Sequence, residues 1–373
     1  MNVENINKNS TKFKILVAPL DWGLGHATRC IPIIQLLISR NITVLLAAEG
    51  DTAALLKKEF PTLTLLPLKG YRIAYSQHKT WFFAKMLLQF PKISAAIRYE
   101  KRWLKKIIQH YHIDAVIADN RFGLQNAAIH SVYITHQLFI ETGSTFLNKI
   151  AQKIHYRFIN RYDECWVPDA EGNINLAGKL SHPATKPLVP VKYTGCLSRF
   201  KKENIAPEND LLIMLSGPEP QRTIFENILL KQINNTDLSI VMVRGLPGKT
   251  VDLKAKKKDL KIFNHLPAEK LSTIIQQSQL VLARAGYSSI MDLVALGKKA
   301  VLVPTPGQTE QEYLAQYLMN QGLFFAARQE NFLLKNTMNK VAAFKFAPGR
   351  EITSALEKNI VELLEKLTAK ALQ

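Results

Sequence analysis

Short runs rich in Val, Ile and Leu alternate with stretches of helical period along almost the whole chain, and that alternation is the sequence form of βαβ units and parallel sheets. Strands are expected at 14–18, 43–47, 63–66, 115–118, 132–135, 164–167 and 192–194. A second set is expected at 211–215, 240–243, 261–263, 280–282, 301–304 and 324–327. Between the two sets, residues 198–210 (SRFKKENIAPEND) are polar, charged and punctuated by Pro207, which marks a linker. The expectation is an α/β chain of two doubly wound parallel-sheet domains, 1–197 and 211–373. A length of 373 residues agrees with two domains at roughly 150 residues each. The last stretch, 351–373, sets Ile352, Leu356, Ile360, Leu363, Leu364 and Leu367 on one stripe of an amphipathic helix. That helix is counted with the second domain, with packing back on the first as the alternative.

Charge narrows the partners. Lys and Arg number 49 against 30 acids, and the first 200 residues hold 26 bases and 13 acids against 23 and 17 in the rest. A basic half suits nucleic acid, an anionic membrane or a phosphorylated substrate. Apolar stretches such as 82–90, broken by Lys85 and Gln89, stop well short of the ~18 residues a spanning helix needs. The polar, Asn-rich start does not read as a secretory signal. Cys30, Cys165 and Cys196 lack metal-ligand or redox-pair spacing, so a reducing cytoplasm is the expected setting.

Ligands of doubly wound sheets bind at the carboxyl ends of the strands, so the loops there carry the functional reading. The first strand runs into Asp21-Trp22-Gly23-Leu24-Gly25-His26-Ala27-Thr28-Arg29, followed by helical spacing at Ile31, Ile34, Leu37 and Ile38. Glycines there allow close backbone approach, and the helix start beyond them attracts negative charge. As a dinucleotide fingerprint the loop fails, because Thr28 stands where the third glycine belongs. His26 is expected at the mouth of a cleft. Asp119 and His136 each follow a strand of the first domain, in positions suited to binding an acceptor or orienting a base. A loop-capping Asp and a satisfied core His are the plain alternatives.

In the second half, the strand at 280–282 leads to Arg284, then Gly286, Ser288 and Ser289 ahead of a helix that stops at Gly297. A helix start with two hydroxyls can hold a phosphate without metal. One turn on, Asp292 can accept hydrogen bonds from paired ribose hydroxyls. The next strand opens a loop bearing Gln308, Glu310, Gln311 and Glu312. A Gly-Lys-Thr sequence at 248–250 is set aside as a phosphate loop: its first glycine would fall on Val243, and Pro247 interrupts it.

The order Arg-x-Gly-x-x-Ser-x-x-x-Asp-x-x-x-x-Gly, a strand ending in Pro, then Gln-x-Glu-Gln-Glu-Tyr resembles the donor half of the MurG-like, family 28 glycosyltransferases. The loop with His26 is similar to that family's acceptor-side loop, and the likeness runs nearly the whole chain in the right order. The resemblance implies the GT-B fold, in which two Rossmann-like domains face a central cleft. By it, Asp292 falls on the ribose-binding acid, normally Glu. Gln311 falls on a glutamine that touches the donor sugar, and Glu312 stands where a second glutamine is usual. Ser216 and Gly217 end a strand as the family's Gly-Gly-Ser diphosphate loop does, although Pro218-Glu219-Pro220-Gln221-Arg222 departs from that pattern. Asn264 and His265 lie in the stretch whose backbone reads the uracil.

What the resemblance implies is an inverting transfer from a UDP-sugar, with a UDP-N-acetylhexosamine as the expected donor and a lipid-linked or cell-envelope glycan as acceptor. Such a reaction needs a base and stabilisation of the leaving diphosphate. His26 supplies the base or orients the acceptor; the helix start, with Arg284, Arg244 or Arg222, serves the phosphates. No Asp-x-Asp triplet occurs, so neither a metal nor another cofactor is expected. A nucleotide-sugar hydrolase of the PseG type, which shares Gly-x-Gly-His-x-x-Arg (Gly23 to Arg29), is the alternative with water as acceptor. Nucleic-acid binding, suggested only by net charge, lacks a recognisable motif.

Residues 79–108 mix Trp81, Phe82, Phe83, Met86, Leu87, Leu88 and Phe90 with Lys85, Lys92, Arg98, Lys101, Arg102, Lys105 and Lys106. Aromatic and basic residues on amphipathic helices suit an anionic bilayer. The expectation is a cytoplasmic enzyme peripheral to the inner face of the cell membrane. The alternative is a core helix whose lysines are solvated.

Overall fold

The computed structural model describes residues 13–71, 82–246, 259–349, 352 and 354–372, with the backbone alone over 82–90. Two compact units emerge, Met1–Arg199 with Ile352–Gln373, and Phe200–Glu351.

The first unit is built on a parallel sheet of β1 (Lys14–Pro19), β2 (Thr43–Ala48), β3 (Thr64–Pro67), β4 (Ala115–Asp119), β5 (His130–Ile134), β6 (Glu164–Val167) and β7 (Val191–Tyr193). Their spatial order is β3-β2-β1-β4-β5-β6-β7. Every strand pairing is parallel, with Pro19 beside Asp119 and Asp119 beside Ile134. Residues 15–18 and 115–118 are fully buried, so both faces of these strands are covered, as continuous apolar runs require. The cover comes from α1 (Leu24–Ser39), α2 (Gly50–Glu59), α3 (Phe82–Tyr111) and α4 (Thr145–Ile159). On α1, Ala27, Cys30, Ile31, Ile34 and Leu37 recur at three- and four-residue spacing and are buried together.

The second unit repeats the plan with β8 (Asn209–Met214), β9 (Ile240–Val243), β10 (Leu260–Phe263), β11 (Ser278–Ala283), β12 (Ala300–Leu302) and β13 (Phe325–Ala326), in the order β10-β9-β8-β11-β12-β13, again all parallel. Helices α5 (Gln221–Ile233), α6 (Ala268–Gln276), α7 (Tyr287–Ala295), α8 (Thr309–Asn320) and α9 (Leu334–Ala343) complete it. Strand β8 opens at Asn209, where Glu208 and Asn209 both donate N–H bonds to the Gln277 carbonyl.

The last helix, α10 (Leu356–Ala371), buries Leu356, Ile360, Leu363, Leu364 and Leu367 as one stripe within the first unit. Its polar side chains reinforce the docking. Asn359 donates to the Tyr193 carbonyl at 3.2 Å, and Lys366 pairs with the buried Glu164 at 2.7 Å. Lys192 bridges Glu164 and Glu362 at 3.0 and 2.6 Å.

Helix α3 shows how an apparently interfacial segment is used. Over its described side chains Ile97 and Leu104 are buried, and Tyr99, Trp103, Ile107 and Ile108 pack against the sheet core, while Arg98, Arg102, Lys105 and Lys106 are exposed. Buried Glu100 anchors it, pairing with Arg121 at 3.0 Å and accepting from Tyr71 at 2.9 Å and the Gly123 N–H at 2.8 Å. This half of the segment is therefore a core helix with solvated cations. Lys79 and Trp81 lie outside the described residues, as do the side chains of Phe82, Phe83, Lys85, Met86, Leu87, Leu88 and Phe90 and the 247–250 part of the Gly-Lys-Thr sequence. Among the described residues no helix is long and apolar enough to cross a membrane.

Candidate functional site

In a doubly wound sheet the strand order reverses on either side of the first strand, and the carboxyl ends flanking that reversal form the natural binding position. In the first unit these are the ends of β1 and β4. The chain leaves β1 through Gly23, whose φ of +74° suits glycine, and enters α1 at Leu24. At the end of β4, Asn120 turns the backbone with φ +52°, a conformation asparagine tolerates, and the fully buried Asp119 carboxylate sits beneath the start of α1.

Arg29, 2% exposed, is the hub of this cluster. Its Nε donates to Asp119 Oδ2 at 2.5 Å, and Nη2 pairs closely with Asp119 Oδ1. The same guanidinium reaches His136 Nδ1 at 3.2 Å through Nη1, and His26 Nδ1 at 2.8 Å through Nη2. His26 Nδ1 also lies 3.1 Å from Asp119 Oδ1. These two contacts of His26 are tautomeric alternatives. With a proton on Nδ1 the ring donates to Asp119 and leaves Nε2 a lone pair; without it, Nδ1 accepts from Arg29. An arginine has no acceptor, so His136 Nδ1 is unprotonated where it meets Nη1.

The electrostatics follow from burial and from that hub. Burial alone would raise the Asp119 carboxyl, but the Arg29 charge, then the His26 ring and their hydrogen bonds, hold it well below the usual carboxylate range. Burial lowers His26, and Arg29 pushes it further down against the pull of Asp119. The ring is therefore neutral near pH 7, and it is backed by an ionised carboxylate that stabilises any proton it gains. Burial together with the Asp119 charge keeps the Cys30 thiol protonated, with Sγ 3.8 Å from Asp119 Oδ2.

The second unit carries the other expected residues at the ends of β8, β9, β10, β11 and β12. Gly217, with φ +99°, lies in the exposed loop 216–220 after β8, and Ser216 is exposed beside it. Gly245 makes the closest backbone approach of this region: its φ is +67°, and a Cβ there would sit 2.3 Å from the Leu215 carbonyl oxygen. Gly286 caps α7 without a side-chain bond, and Ser288, Ser289 and Asp292 lie half-buried along its first two turns. Asn264 is half-buried and His265 exposed after β10; the Asn264 carbonyl accepts the Leu246 N–H at 2.8 Å. Gln311 and Glu312, in the first turn of α8, reach back to cap their own loop. Gln311 Oε1 accepts the Thr305 N–H at 2.9 Å, and Glu312 Oε1 accepts the Gly307 N–H at 3.1 Å.

The three arginines are directed at protein partners. Arg222 Nε donates to Glu219 at 2.6 Å and Nη1 to Glu226 at 3.1 Å. Arg244 also pairs with Glu226 and donates to Asn264 Oδ1 at 2.7 Å. Arg284, 1% exposed, lies 4.5 Å over the Phe225 ring. It donates to the Val303 and Pro304 carbonyls at 3.3 and 3.4 Å, the Gln221 carbonyl at 2.9 Å and Gln329 Oε1 at 2.6 Å. Burial lowers it to about 10, so it stays charged at neutral pH without a carboxylate in that set. Arg284 thus ties the loop after β12 to the start of α5, while Arg222 and Arg244 share the 3%-exposed Glu226.

The structure brings together His26 in the first turn of α1, Asp119 at the end of β4 and His136 just past β5, all three expected from the sequence as candidates. Sequence reasoning did not single out Arg29 or Glu226 as organisers. The available signal for Arg29 was its position three residues after His26, on the same face of one helix.

Residues 228–366 match the glycosyltransferase family 28 C-terminal domain. An uncharacterised glycosyltransferase of Methanosarcina acetivorans is 22% identical over 331 residues, covering 83% of this chain and 84% of its own length. The UDP-N-acetylglucosamine–N-acetylmuramyl-(pentapeptide) pyrophosphoryl-undecaprenol N-acetylglucosamine transferase of Clostridioides difficile is 24% identical over 270 residues, 66% of this chain and 62% of that protein. Among solved structures, the glycotransferase of kitacinnamycin superposes with a TM-score of 0.64 at 13% identity, covering 96% of this chain and 95% of that one. MurG of Acinetobacter baumannii superposes with a TM-score of 0.58 at 15% identity, covering 95% and 99%. Residues 228–366 thus match a family 28 C-terminal domain, and the chain is a glycosyltransferase similar to the MurG-like enzymes, with two Rossmann-like parallel-sheet units of the GT-B class.

Proposed function

We propose that this glycosyltransferase moves an N-acetylhexosamine from its UDP donor to a hydroxyl of a lipid-linked or cell-envelope glycan, with inversion, without a metal, and at the inner face of the membrane. The observation that carries the reading is the neutral His26 ring set against the buried, ionised Asp119 at the β1/β4 reversal. The donor class rests on the relatives' printed activities and on the α7 start with Asp292.

In the reaction the acceptor oxygen attacks the anomeric carbon from the face opposite UDP. The new C–O bond forms as the bond to the β-phosphate oxygen breaks, and the electron pair leaves on UDP. The hydroxyl proton passes to His26 Nε2, with Nδ1–H donated to Asp119 so that the imidazolium is stabilised as it forms. Arg29 holds Asp119 ionised and fixed, and His136 is steadied by the same guanidinium. On the donor side, the N–H groups at the α7 start and the hydroxyls of Ser288 and Ser289 take the diphosphate, and Asp292 accepts from the ribose.

Calorimetric titration with a panel of UDP- and dTDP-sugars, on the wild type and Asp292→Ala, tests this. UDP-N-acetylhexosamines are expected to bind tightest, and Asp292→Ala to weaken them tenfold or more, about 1.4 kcal/mol. Equal binding by the variant, or a preference for dTDP-sugars, overturns the donor assignment. Release of free sugar and UDP at the full rate without acceptor would convert the reading to hydrolysis. Activity abolished by EDTA and restored by magnesium would overturn metal independence.

A further inference from the structure

Asn120 follows Asp119 directly at the strand-order reversal, and its carboxamide is divided between an inner and an outer side. The backbone N–H continues the β4–β5 pairing by bonding the Ile134 carbonyl at 3.1 Å, and the φ of +52° turns the chain there. Inward, Oδ1 accepts from the Tyr133 hydroxyl at 3.1 Å, and that hydroxyl lies 3.3 Å from His155 Nε2 on α4. Outward, the residue is half-buried, and Nδ2 has no protein partner among the described residues.

The inner pair is locked by packing. Tyr133 is fully buried and His155 5% exposed; the Phe122 ring stacks on the first at 5.8 Å and meets the second edge-on at 5.6 Å. Burial lowers His155 to about 4, so near pH 7 its ring carries a single proton. His155 Nδ1 is buried without a partner, which decides where that proton lies. With the proton on Nε2, the ring donates to Tyr133, Tyr133 donates to Asn120 Oδ1, and only a lone pair at Nδ1 goes unused. With the proton on Nδ1, a buried N–H is left without an acceptor, the rarer defect in protein interiors. The first arrangement holds Oδ1 inward and turns both Nδ2 hydrogens out, beside the carboxylate that backs His26.

The surrounding charge says what those hydrogens meet. Arg29 is engaged by Asp119. The Leu20 N–H bonds the Asp119 carbonyl at 3.0 Å, and the next residue, Asp21, has Oδ1 buried without a partner. An amide donor flanked by carboxylates turns away an anion and admits an uncharged oxygen.

We propose that Asn120, oriented by Tyr133 and His155, donates through Nδ2 to an uncharged oxygen of the acceptor, a sugar hydroxyl or an acyl carbonyl, and so selects the acceptor. Asn120 is then an acceptor-binding residue, and Tyr133 and His155 are positioning residues that act through it. The inference rests on the proposed reading in which the acceptor is a glycan that meets His26.

Magnetic resonance on the full chain carrying nitrogen-labelled asparagine and histidine, saturated with UDP, tests it. The signal lost in Asn120→Asp identifies the carboxamide. The probes are methyl β-glucoside, methyl N-acetyl-β-glucosaminide and inorganic phosphate, which offer hydroxyls, an added acyl carbonyl and an anion. At least one glycoside is expected to move the Asn120 Nδ2 signal, the stronger binder naming the hydroxyl or the carbonyl, and phosphate to leave it in place. Asn120→Gly, which suits the positive φ, and Asn120→Asp, which keeps the Tyr133 bond but presents an oxygen, are each expected to weaken that glycoside about tenfold or more. Tyr133→Phe, which frees the carboxamide to turn, is expected to weaken it by about threefold. The His155 ring shifts are expected to place the proton on Nε2. Unchanged UDP-sugar binding and melting temperature show that the variants fold. Asn120 variants that bind the glycoside like the wild type, a His155 proton on Nδ1, or phosphate moving the amide more than either glycoside overturn the inference and leave the transferase reading intact. A wild type that binds neither glycoside defeats the glycan-acceptor reading and the inference with it; glycoside binding without UDP-sugar binding defeats the donor reading alone.

Discussion

The two units share one strand order around their first strand, β3-β2-β1-β4 and β10-β9-β8-β11, yet they end the strand beside it with opposite charges. In the first unit β4 closes on Asp119; in the second, Arg284 follows β11 directly. Each buried charge is met by the helix that follows the first strand, through Arg29 and His26 on α1 and through the Gln221 carbonyl at the start of α5. Topology therefore fixes an address, and the side chain placed there decides the chemistry. A carboxylate at the address backs a neutral histidine within hydrogen-bond reach. A guanidinium held by carbonyls there fixes two loops and leaves a buried positive charge near the end of the sheet.

The strongest way to break that contrast is Asp119→Asn. The amide keeps the shape but removes the charge that orients and stabilises His26, and kcat is expected to fall by about 10³-fold with donor KM little changed. It also leaves Arg29 buried without its carboxylate, a loss of about 3–5 kcal/mol of stability. Steady-state kinetics well below the lowered melting temperature separate the two effects. A kcat within tenfold of the wild type would mean that Asp119 serves folding alone.

A second way to sharpen it is pH, because the groups that titrate with burial below neutrality sit in the first unit. His155, buried between Phe122 and Tyr133, is lowered to about 4 by burial, and His26 is lowered as well. A histidine lowered in the folded state is neutral there while the unfolded chain takes up a proton below about 6.5. Its contribution is therefore complete above pH 6.5 and is lost as pH falls toward the folded value. Between pH 6.5 and 4 the stability of the first unit is expected to drop by up to about 1.4 kcal/mol per pH unit for each such histidine. Asp119, depressed in the folded state, adds a loss only below about pH 4. Urea unfolding followed across this range should show the slope, and His155→Gln should remove one proton's share of it. A flat profile in the wild type would show that neither ring is held neutral.

These differences also explain what could be read without coordinates. Strands of a two-sided parallel sheet are continuous apolar runs, so all thirteen were legible, and errors fell at their ends. Thr135 lies beyond β5, and Val303 lies beyond β12 although its N–H still bonds the Ala283 carbonyl. Asp119 and Arg284 were legible because polar residues at the close of such runs stand out, and His26 because it follows the glycines of a strand-to-helix loop. Glu226 was not: four residues after Arg222 it resembles a solvated helix pair, whereas it is buried and takes Arg244 from beyond β9. The composition of α3 is what an interfacial helix has, but composition does not say which face meets the sheet; among its described side chains Ile97 and Leu104 are buried and Arg98, Arg102, Lys105 and Lys106 are exposed.

The smallest effect comes from Arg284→Lys, and it asks whether the second unit needs a charge at this address or a fork. Lysine keeps the positive charge but presents a single ammonium in place of a planar fork. The guanidinium serves Val303 and Pro304 through Nη1 and Gln221 and Gln329 through Nη2, on opposite sides of the group. One ammonium cannot span both sets, so at least one buried carbonyl loses its donor, at about 1–3 kcal/mol. The loop after β12, which Gln311 and Glu312 cap from the first turn of α8, would then be released from α5. Donor KM is expected to rise severalfold to tenfold with kcat nearly unchanged, the reverse of the Asp119→Asn pattern. A variant that matched the wild type in both stability and donor KM would show that charge suffices, and a fall in kcat alone would move Arg284 from the donor loops to the reacting bond.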